Sequence, residues 1–130
     1  MNNIQKGRAG EMIALKYLID NKANILETNY RINSGEIDII AEINDELVFI
    51  EVKSRTNIKF GYPAEAVDCR KIRKIVNTAK YYILKNNLNN VPIRFDVIEI
   101  YYELVNKQII INIINAIVDN ICCNEIKVYI

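Results

Sequence analysis

Two mainly apolar runs, at 37–43 and 46–52, are separated by the dipeptide Asn44-Asp45. This turn signal between two strand-like runs predicts a β-hairpin with a two-residue loop, in which Ile43 lies opposite Glu46. Side chains alternate between the two faces of a strand, so the register sorts them into two sets. One face is apolar and carries Ile37, Ile39, Ala41, Val48, Ile50 and Val52. The other carries Glu36, Asp38, Ile40, Phe49, Glu51 and Lys53.

The second face ends in a group of charges. The register places Asp38 opposite Glu51, and Glu36 opposite Lys53. Cross-strand neighbours at about 5 Å repel by roughly 3 kcal/mol when both are negative and the effective dielectric constant is about 20. Protonation of one carboxylate, compensation by Lys53 or a bound cation would each relieve this repulsion. A divalent ion relieves it most completely, and two carboxylates with water suit Mg²⁺.

Two other interpretations of these charges stay open. Solvent-facing strand positions often carry Glu, Asp and Lys, and Glu36 with Lys53 could form an ordinary cross-strand ion pair. A one-residue slip of the register, from a bulge or a longer loop, would scatter the charges to both faces.

Composition narrows the chemistry and the compartment. The 130 residues include no histidine, which excludes His-based triads, His general bases and most zinc enzymes. Three cysteines without zinc-site spacing indicate reduced thiols. The polar N-terminus does not resemble a signal peptide, and the most apolar tract, 109–123, is too short and too polar to cross a bilayer. We therefore expect a cytoplasmic protein that does not bind membranes.

Hydrophobic periodicity predicts two helices and five strands in a single α/β domain over residues 1–130. The helices are expected at 3–20 and 64–85, separated by a loop through Gly61, Tyr62 and Pro63. Strands are expected at 25–32, in the two arms of the hairpin, at 94–101 and at 107–114. The order is therefore αβββαββ. Because the last strand is Ile-rich and would be hazardous at a free sheet edge, we expect it to mediate a homodimer.

Two features of the helices could belong to a functional site. Glu11 shares a helix stripe with Leu15 and Leu18, an unusual place for a charge, although it could also be a flanking residue paired with Arg8. The second helix has a basic side that could follow a phosphate backbone or simply be solvated. This side carries Arg70, Lys71, Arg73, Lys74 and Lys80.

Five ordered stretches of the chain resemble the bacterial YraN-like family. They are GRAGEMIALKYL at 7–18, NYRINSGEIDIIA at 29–41, LVFIEVKSR at 47–55, AEAVDCRKIRKI at 64–75 and RFDVIEI at 94–100. The layout is also similar to the PD-(D/E)XK nuclease superfamily and to archaeal Holliday-junction resolvases. Ile37 stands where that superfamily has a proline, a residue dispensable to metal chemistry.

This resemblance implies a restriction-endonuclease-like fold, a central mixed sheet flanked by helices, and Mg²⁺- or Mn²⁺-dependent hydrolysis of phosphodiester bonds in branched or structured DNA. The catalytic residues would be Glu11, Asp38, Glu51 and Lys53. Asp38, Glu51 and the Val52 carbonyl would hold the metal, with Glu36 behind Lys53. The substrate would contact Arg8, Arg55, Lys71 and Lys74.

Two alternatives to a nuclease remain. The same fold could bind nucleic acid without turnover, using the basic helix and an unused site. The chain could also be a scaffold that associates through its Ile-rich tail, with the hairpin charges solvated.

Overall fold

The computed structural model describes residues 3–55, 69–88, 90–103, 108–118 and 128–129. Its elements follow the predicted order, with one short strand added at the end. They are α1 (Asn3–Asp20), β1 (Asn24–Ile32), β2 (Gly35–Ile43), β3 (Glu46–Arg55), α2 (Cys69–Lys85), β4 (Ile93–Glu103), β5 (Gln108–Val118) and β6 (Val128–Tyr129). The predicted loop at 61–63 and the predicted helical turn at 64–68 lie outside the described residues.

Both helices end in the same hydrogen-bonded motif. After α1, Lys22 has a left-handed φ of 67°, and the N–H of Ala23 donates to the carbonyl of Leu18 at 2.9 Å. After α2, Asn87 has a φ of 55°, and the N–H of Leu88 donates to Ile83 at 3.0 Å. These are Schellman caps, which satisfy the last helical carbonyls and turn the chain toward the next strand.

The strands form one mixed sheet in the order β1-β2-β3-β4-β5-β6. The β3–β4 pair is parallel and is connected through α2, whereas the other pairs are antiparallel. A parallel pair needs such a crossover connection. This arrangement confirms an α/β protein with a mixed sheet.

The helices cover opposite faces of the sheet. Ala14 and Leu18 of α1 pack against a buried cluster that includes Ile39, Val48 and Ile98. Ala79 and Tyr82 of α2 pack on the other face with Ile37, Ile40, Leu47 and Phe49. Because both faces are covered, β2 and β3 are apolar on both sides over most of their length.

The hairpin register is confirmed from the loop as far as Ile39. Asn44 and Asp45 have φ values of 50° and 64°, the left-handed pair of a type I′ turn. Pairing then runs from Ile43↔Glu46 to Ile39↔Ile50, as predicted.

The predicted position of Ile37 on the same face as Ile39 is wrong. Ile37 packs in the α2 cluster, whereas Ile39 packs in the α1 cluster. The change of face in β2 coincides with an irregularity in β1, where Asn29 has a φ of 51° between the pairs Thr28↔Ile39 and Tyr30↔Ile37. Asn tolerates this left-handed conformation, which is not that of a regular strand. Asp38 lies at this change of face.

The predicted last strand forms as β5, which pairs with β4 along its length and with β6 only at Ile117 and Val118. Its side chains lie outside the described part of the structure, so dimerisation through it stays a prediction.

Candidate active site

Asp38 is held at the point where β2 and β3 part. The strand register ends at Ile39↔Ile50, and the N–H of Val52 then donates to Asp38 Oδ2 at 2.8 Å. Backbone N–H groups of a strand point toward the neighbouring strands, so Asp38 Oδ2 lies beside the main chain of β3. The main chain therefore fixes the position of one acid of the predicted pair.

Glu51, the second acid, binds two ammonium groups through one oxygen. Lys71 Nζ from α2 lies 2.6 Å from Glu51 Oε1, and Lys53 Nζ lies 3.6 Å from the same atom. The Glu51 side chain is only 11% exposed, so these contacts are shielded from water. The shorter, charge-assisted contact to Lys71 is the stronger of the two.

The geometry raises the pKa of Asp38 to about 7. Burial is the main cause, followed by the negative charge of Glu51, while the hydrogen bond from Val52 opposes the shift. Glu11 and Glu36 raise the pKa further. The predicted repulsion between Asp38 and Glu51 is thus present, and Glu11 of α1 lies close enough to act on Asp38.

The two lysines respond in opposite directions. Burial and then the neighbouring Lys71 lower the pKa of Lys53, although Glu51 opposes them. Burial also lowers the pKa of Lys71, but its hydrogen bonds to Glu51 and Lys53 outweigh that effect and leave it raised. Lys71 therefore carries the firmly held positive charge of the pair.

A cleft of about 460 Å³ opens between the sheet and the first half of α2. Its sheet wall carries the acids Glu36, Asp38 and Glu51. Its helix wall carries the bases Arg70, Lys71 and Lys74. Acidic and basic groups thus face each other across an open groove.

Gly35 allows α2 to approach the sheet beside this cleft. A Cβ atom at Gly35 would lie 2.5 Å from Thr78 Oγ1 and 3.0 Å from the backbone oxygen of Lys74. Thr78 is fully buried and donates to the same Lys74 oxygen at 2.7 Å, so it cannot swing away cheaply. The missing side chain at Gly35 therefore sets the distance between the two walls.

The structure brings most of the predicted site residues together. Glu51, Lys53 and Lys71 are connected by ion pairs, and Asp38 accepts from the N–H of Val52, which lies between Glu51 and Lys53 in β3. Lys74 lines the cleft. Glu36 also lines it, but its carboxylate pairs with Arg31 at 3.0 Å and not with Lys53. The reason is the β1–β2 register, which places Arg31 directly opposite Glu36.

Two predicted substrate contacts do not join the cleft in the described residues. Arg8 is an exposed residue of α1 and is not among the cleft-lining side chains. The alternative pairing of Arg8 with Glu11 is not among the described ion pairs either. The backbone of Arg55 pairs with Tyr101, and its side chain lies outside the described part of the structure.

The acids of the cleft could bind a metal ion with only a few protein ligands. Within the described residues, no three acidic or cysteine side chains converge as a metal cluster. Asp38 and Glu51 supply two carboxylates, and the Val52 carbonyl lies on the same side of β3 as its N–H. Mg²⁺ fits this donor set, because it commonly uses one or two carboxylates with water and substrate oxygens.

Sequence reasoning missed three residues of this region. Gly35 is not among the predicted site residues, and Arg70 is predicted only as part of the basic side of the second helix. Glu99 falls within the predicted strand 94–101, yet it is fully buried and is the register neighbour of Lys53. Its Oε2 is hydrogen-bonded to the hydroxyl of Tyr101, while Oε1 has no hydrogen-bond partner. No periodic signal distinguishes such a buried acid from a solvated one.

The fold and the cleft define an α/β protein with an acidic and lysine-containing site between sheet and helix. The chain belongs to the Uncharacterised protein family UPF0102, whose model matches residues 10–100. A UPF0102 protein of Clostridioides difficile (strain 630) is 61% identical over 109 residues, covering 84% of this chain and 94% of that protein. One from Persephonella marina is 46% identical over 95 residues, covering 73% and 82%. The resemblance to the YraN-like family is thereby confirmed.

The matched range contains Glu11, Asp38, Glu51, Lys53 and the basic wall of the cleft. Among the helices described, none is long and apolar enough to cross a membrane.

Proposed function

We propose that this protein is a Mg²⁺- or Mn²⁺-dependent endonuclease with a restriction-endonuclease-like fold of the PD-(D/E)XK superfamily, similar to archaeal Holliday-junction resolvases. The proposed substrate is branched or otherwise structured DNA. The proposal rests on one observation above all: Asp38 and Glu51 line a cleft whose opposite wall is cationic, and Lys53 contacts Glu51 at 3.6 Å. Such a cleft can bind a phosphodiester on one side and a divalent cation on the other.

Asp38 and Glu51, with the carbonyl of Val52, would hold the metal. When bound, the metal would supply an activated water and polarise the phosphodiester. The hydrogen bond from Val52 keeps Asp38 Oδ2 in place, so the carboxylate needs little rearrangement to bind a cation. Burial and then the charge of Glu51 raise the pKa of Asp38, and cation binding would offset the second of these effects.

The bases of the cleft would handle the phosphate. Lys53 is held weakly by Glu51, at 3.6 Å, and can therefore donate to a phosphate oxygen or to the attacking water. Arg70, Lys71 and Lys74 on the opposite wall would bind the phosphates that flank the cleaved bond. Glu11 contributes negative charge near Asp38 and favours cation binding from the α1 side.

A nicking assay with Mg²⁺ and Mn²⁺ tests this function. Junction, flap, duplex and single-stranded DNA are incubated with the wild type, Asp38→Asn and Glu51→Gln. We expect metal-dependent cleavage by the wild type only, with DNA binding retained by both variants. Cleavage that persists unchanged in both variants would show that the activity arises elsewhere.

A second candidate is a nucleic-acid-binding module of the same fold without turnover. It is favoured by the 2.6 Å contact between Lys71 and Glu51, in which an ammonium already occupies a carboxylate oxygen that a metal would need. This alternative predicts salt-dependent DNA binding and no cleavage with any divalent ion. The same assay separates the two.

We also propose a homodimer through β5, whose edge beyond β4 is paired only at its last two residues in the described structure. Sedimentation equilibrium tests it independently of any activity: a monomer across the micromolar range would contradict it.

A further inference from the structure

The outer face of α2 carries a concentration of positive charge that the protein as a whole does not have. The helix contains six basic residues and no acidic residue, whereas the formal net charge of the entire chain is +1. The α2 outer face is the exposed stripe that includes Arg70, Arg73, Lys74, Lys80, Tyr81 and Leu84. At 1.5 Å per residue it extends for about 20 Å. A surface of this kind attracts a polyanion.

This stripe is continuous with the cleft. Arg70 and Lys74 belong both to the exposed face and to the cleft lining. A polyanion bound along α2 would therefore reach Asp38 and Glu51 without leaving the protein surface.

Apolar groups interrupt the basic stripe one turn before the end of α2. Tyr81 is 48% exposed and Leu84 is 68% exposed. The Nζ of Lys85 lies 6.0 Å from the centroid of the Tyr81 ring, a cation–π contact that orients the ring beside a positive charge. Phosphates do not need an aromatic surface, but unpaired bases stack on one.

The same helix is poorly suited to binding a membrane. An interfacial helix inserts an apolar face between lipids. The apolar face of α2 is already buried, with Val76, Ala79 and Tyr82 at 4%, 1% and 6% exposure. The remaining exposed face is basic, with only Tyr81 and Leu84 as large apolar groups.

We propose that the α2 outer face binds an unpaired strand of nucleic acid, with a base stacked on Tyr81 and phosphates on Lys80, Lys74 and Arg70, and directs that strand into the cleft. A base in a duplex does not offer its ring face to a side chain, so the preferred ligand contains a single-stranded segment. This inference specifies the substrate of the proposed nuclease. Only the delivery of the strand to a cleaving site rests on that proposed function, because binding along α2 requires no cleavage.

The test measures binding in EDTA, where cleavage cannot occur. Fluorescence anisotropy compares a labelled 16-nucleotide single strand with the duplex of the same sequence, for the wild type, Tyr81→Leu and Tyr81→Phe. We expect the wild type to prefer the single strand. Tyr81→Leu should weaken single-strand binding roughly fivefold or more and leave duplex binding unchanged, since stacking on one aromatic residue contributes on this scale. Tyr81→Phe keeps the ring and should bind as the wild type does.

A second measurement tests the electrostatic part. Lys80→Gln should flatten the dependence of log affinity on log salt by about 0.7 for the single strand. Lys16→Gln, at an exposed position on α1, is the matched control and should leave the slope unchanged.

Several results would overturn the proposal. These are equal affinity of the wild type for single strand and duplex, wild-type binding by Tyr81→Leu, or a loss in Tyr81→Leu that affects both ligands equally. Binding to vesicles containing anionic lipid, with no binding to the single strand, would identify a membrane surface instead. If the protein binds single strands but does not cleave DNA, Tyr81→Leu should still weaken that binding. The binding proposal and the nuclease proposal can therefore be refuted independently.

Discussion

The N–H of Val52 and the carboxylate of Asp38 are joined across the gap between two strands, at 2.8 Å. A strand N–H normally donates to the main chain of its neighbour, but here it donates to a side chain. The left-handed conformation of Asn29 lies beside this position in β1. The irregularity in β1 therefore lies beside Asp38, the acid that is fixed between β2 and β3.

Replacing Asp38 by Asn should stabilise the protein in the absence of divalent ions, and more at pH 8 than at pH 5. Folding raises the pKa of Asp38 from 3.8 to about 7, so the folded state binds a proton that the unfolded state releases. Stability of the wild type is therefore lost as the pH rises between these values. Asn carries no charge and can still accept from Val52. Urea unfolding in EDTA should show a gain on the order of 2–4 kcal/mol at pH 8.

Asp45→Asn is the control for this experiment, since Asp45 is exposed in the hairpin turn and Asn suits its left-handed φ of 64°. A gain from Asp38→Asn that is equal at both pH values would contradict the charge-repulsion explanation.

Removing the ammonium of Lys71 should tighten the binding of Mn²⁺. Lys71 Nζ lies 2.6 Å from Glu51 Oε1, so a metal that uses this oxygen must compete with it. Isothermal titration calorimetry should show roughly tenfold tighter binding to Lys71→Met, equivalent to about 1.4 kcal/mol. Lys80→Met, on the exposed side of the same helix, is the matched control and should bind as the wild type does. Weaker binding to Lys71→Met would mean that Lys71 supports the metal site and does not compete with it.

Gly35→Ala should destabilise the protein and disturb the cleft. The added Cβ would meet Thr78 and the backbone of Lys74, so α2 must move outward with its basic residues. Overpacking of this kind costs about 1–3 kcal/mol. Gly7→Ala is the control, because nothing lies within 4 Å of the added atom and alanine favours the helix. Urea unfolding measures the stability of both variants. Equal free energies of unfolding for Gly35→Ala and Gly7→Ala would show that the sheet and α2 do not require close approach at Gly35.

Removing one partner of the buried Arg94–Asp96 pair should destabilise the protein. Arg94 donates to both carboxylate oxygens of Asp96 at 2.9–3.1 Å, and the Asp96 side chain is only 3% exposed. Arg94→Met would leave a buried charge without this partner, at a cost of about 3–5 kcal/mol. The double variant Arg94→Met/Asp96→Leu removes both charges and should recover much of that loss. A double-mutant cycle in urea tests this; additive effects of the two substitutions would refute the coupling.

Much of the fold follows from local patterns in the sequence. The Asn44-Asp45 turn and the alternation around it are sufficient to specify the hairpin register as far as Ile39, because two-residue loops permit few geometries. The periodicity of α2 is equally clear, since Ile75, Ala79 and Tyr82 all pack in the cluster on the sheet. These predictions hold because they depend on neighbours close in the chain.

The site could be predicted only in part, because its details depend on contacts between distant elements. The proximity of Asp38 and Glu51 follows from the hairpin, but the face of Ile37 does not, and the left-handed Asn29 beside it belongs to another strand. The partner of Glu36 depends on the β1–β2 register. Lys71 reaches Glu51 only because Gly35 lets α2 approach closely, a distance that no local pattern specifies.

The measurement that most directly tests the metal site, on which the proposed nuclease depends, is anomalous X-ray diffraction from crystals soaked in Mn²⁺. We predict one anomalous peak between Asp38 and Glu51, at coordination distances of about 2.0–2.4 Å from both carboxylates, with Lys71 displaced from Glu51 Oε1. No peak at saturating Mn²⁺, with Lys71 still bound to Glu51, would contradict the proposal that this carboxylate pair binds a catalytic metal.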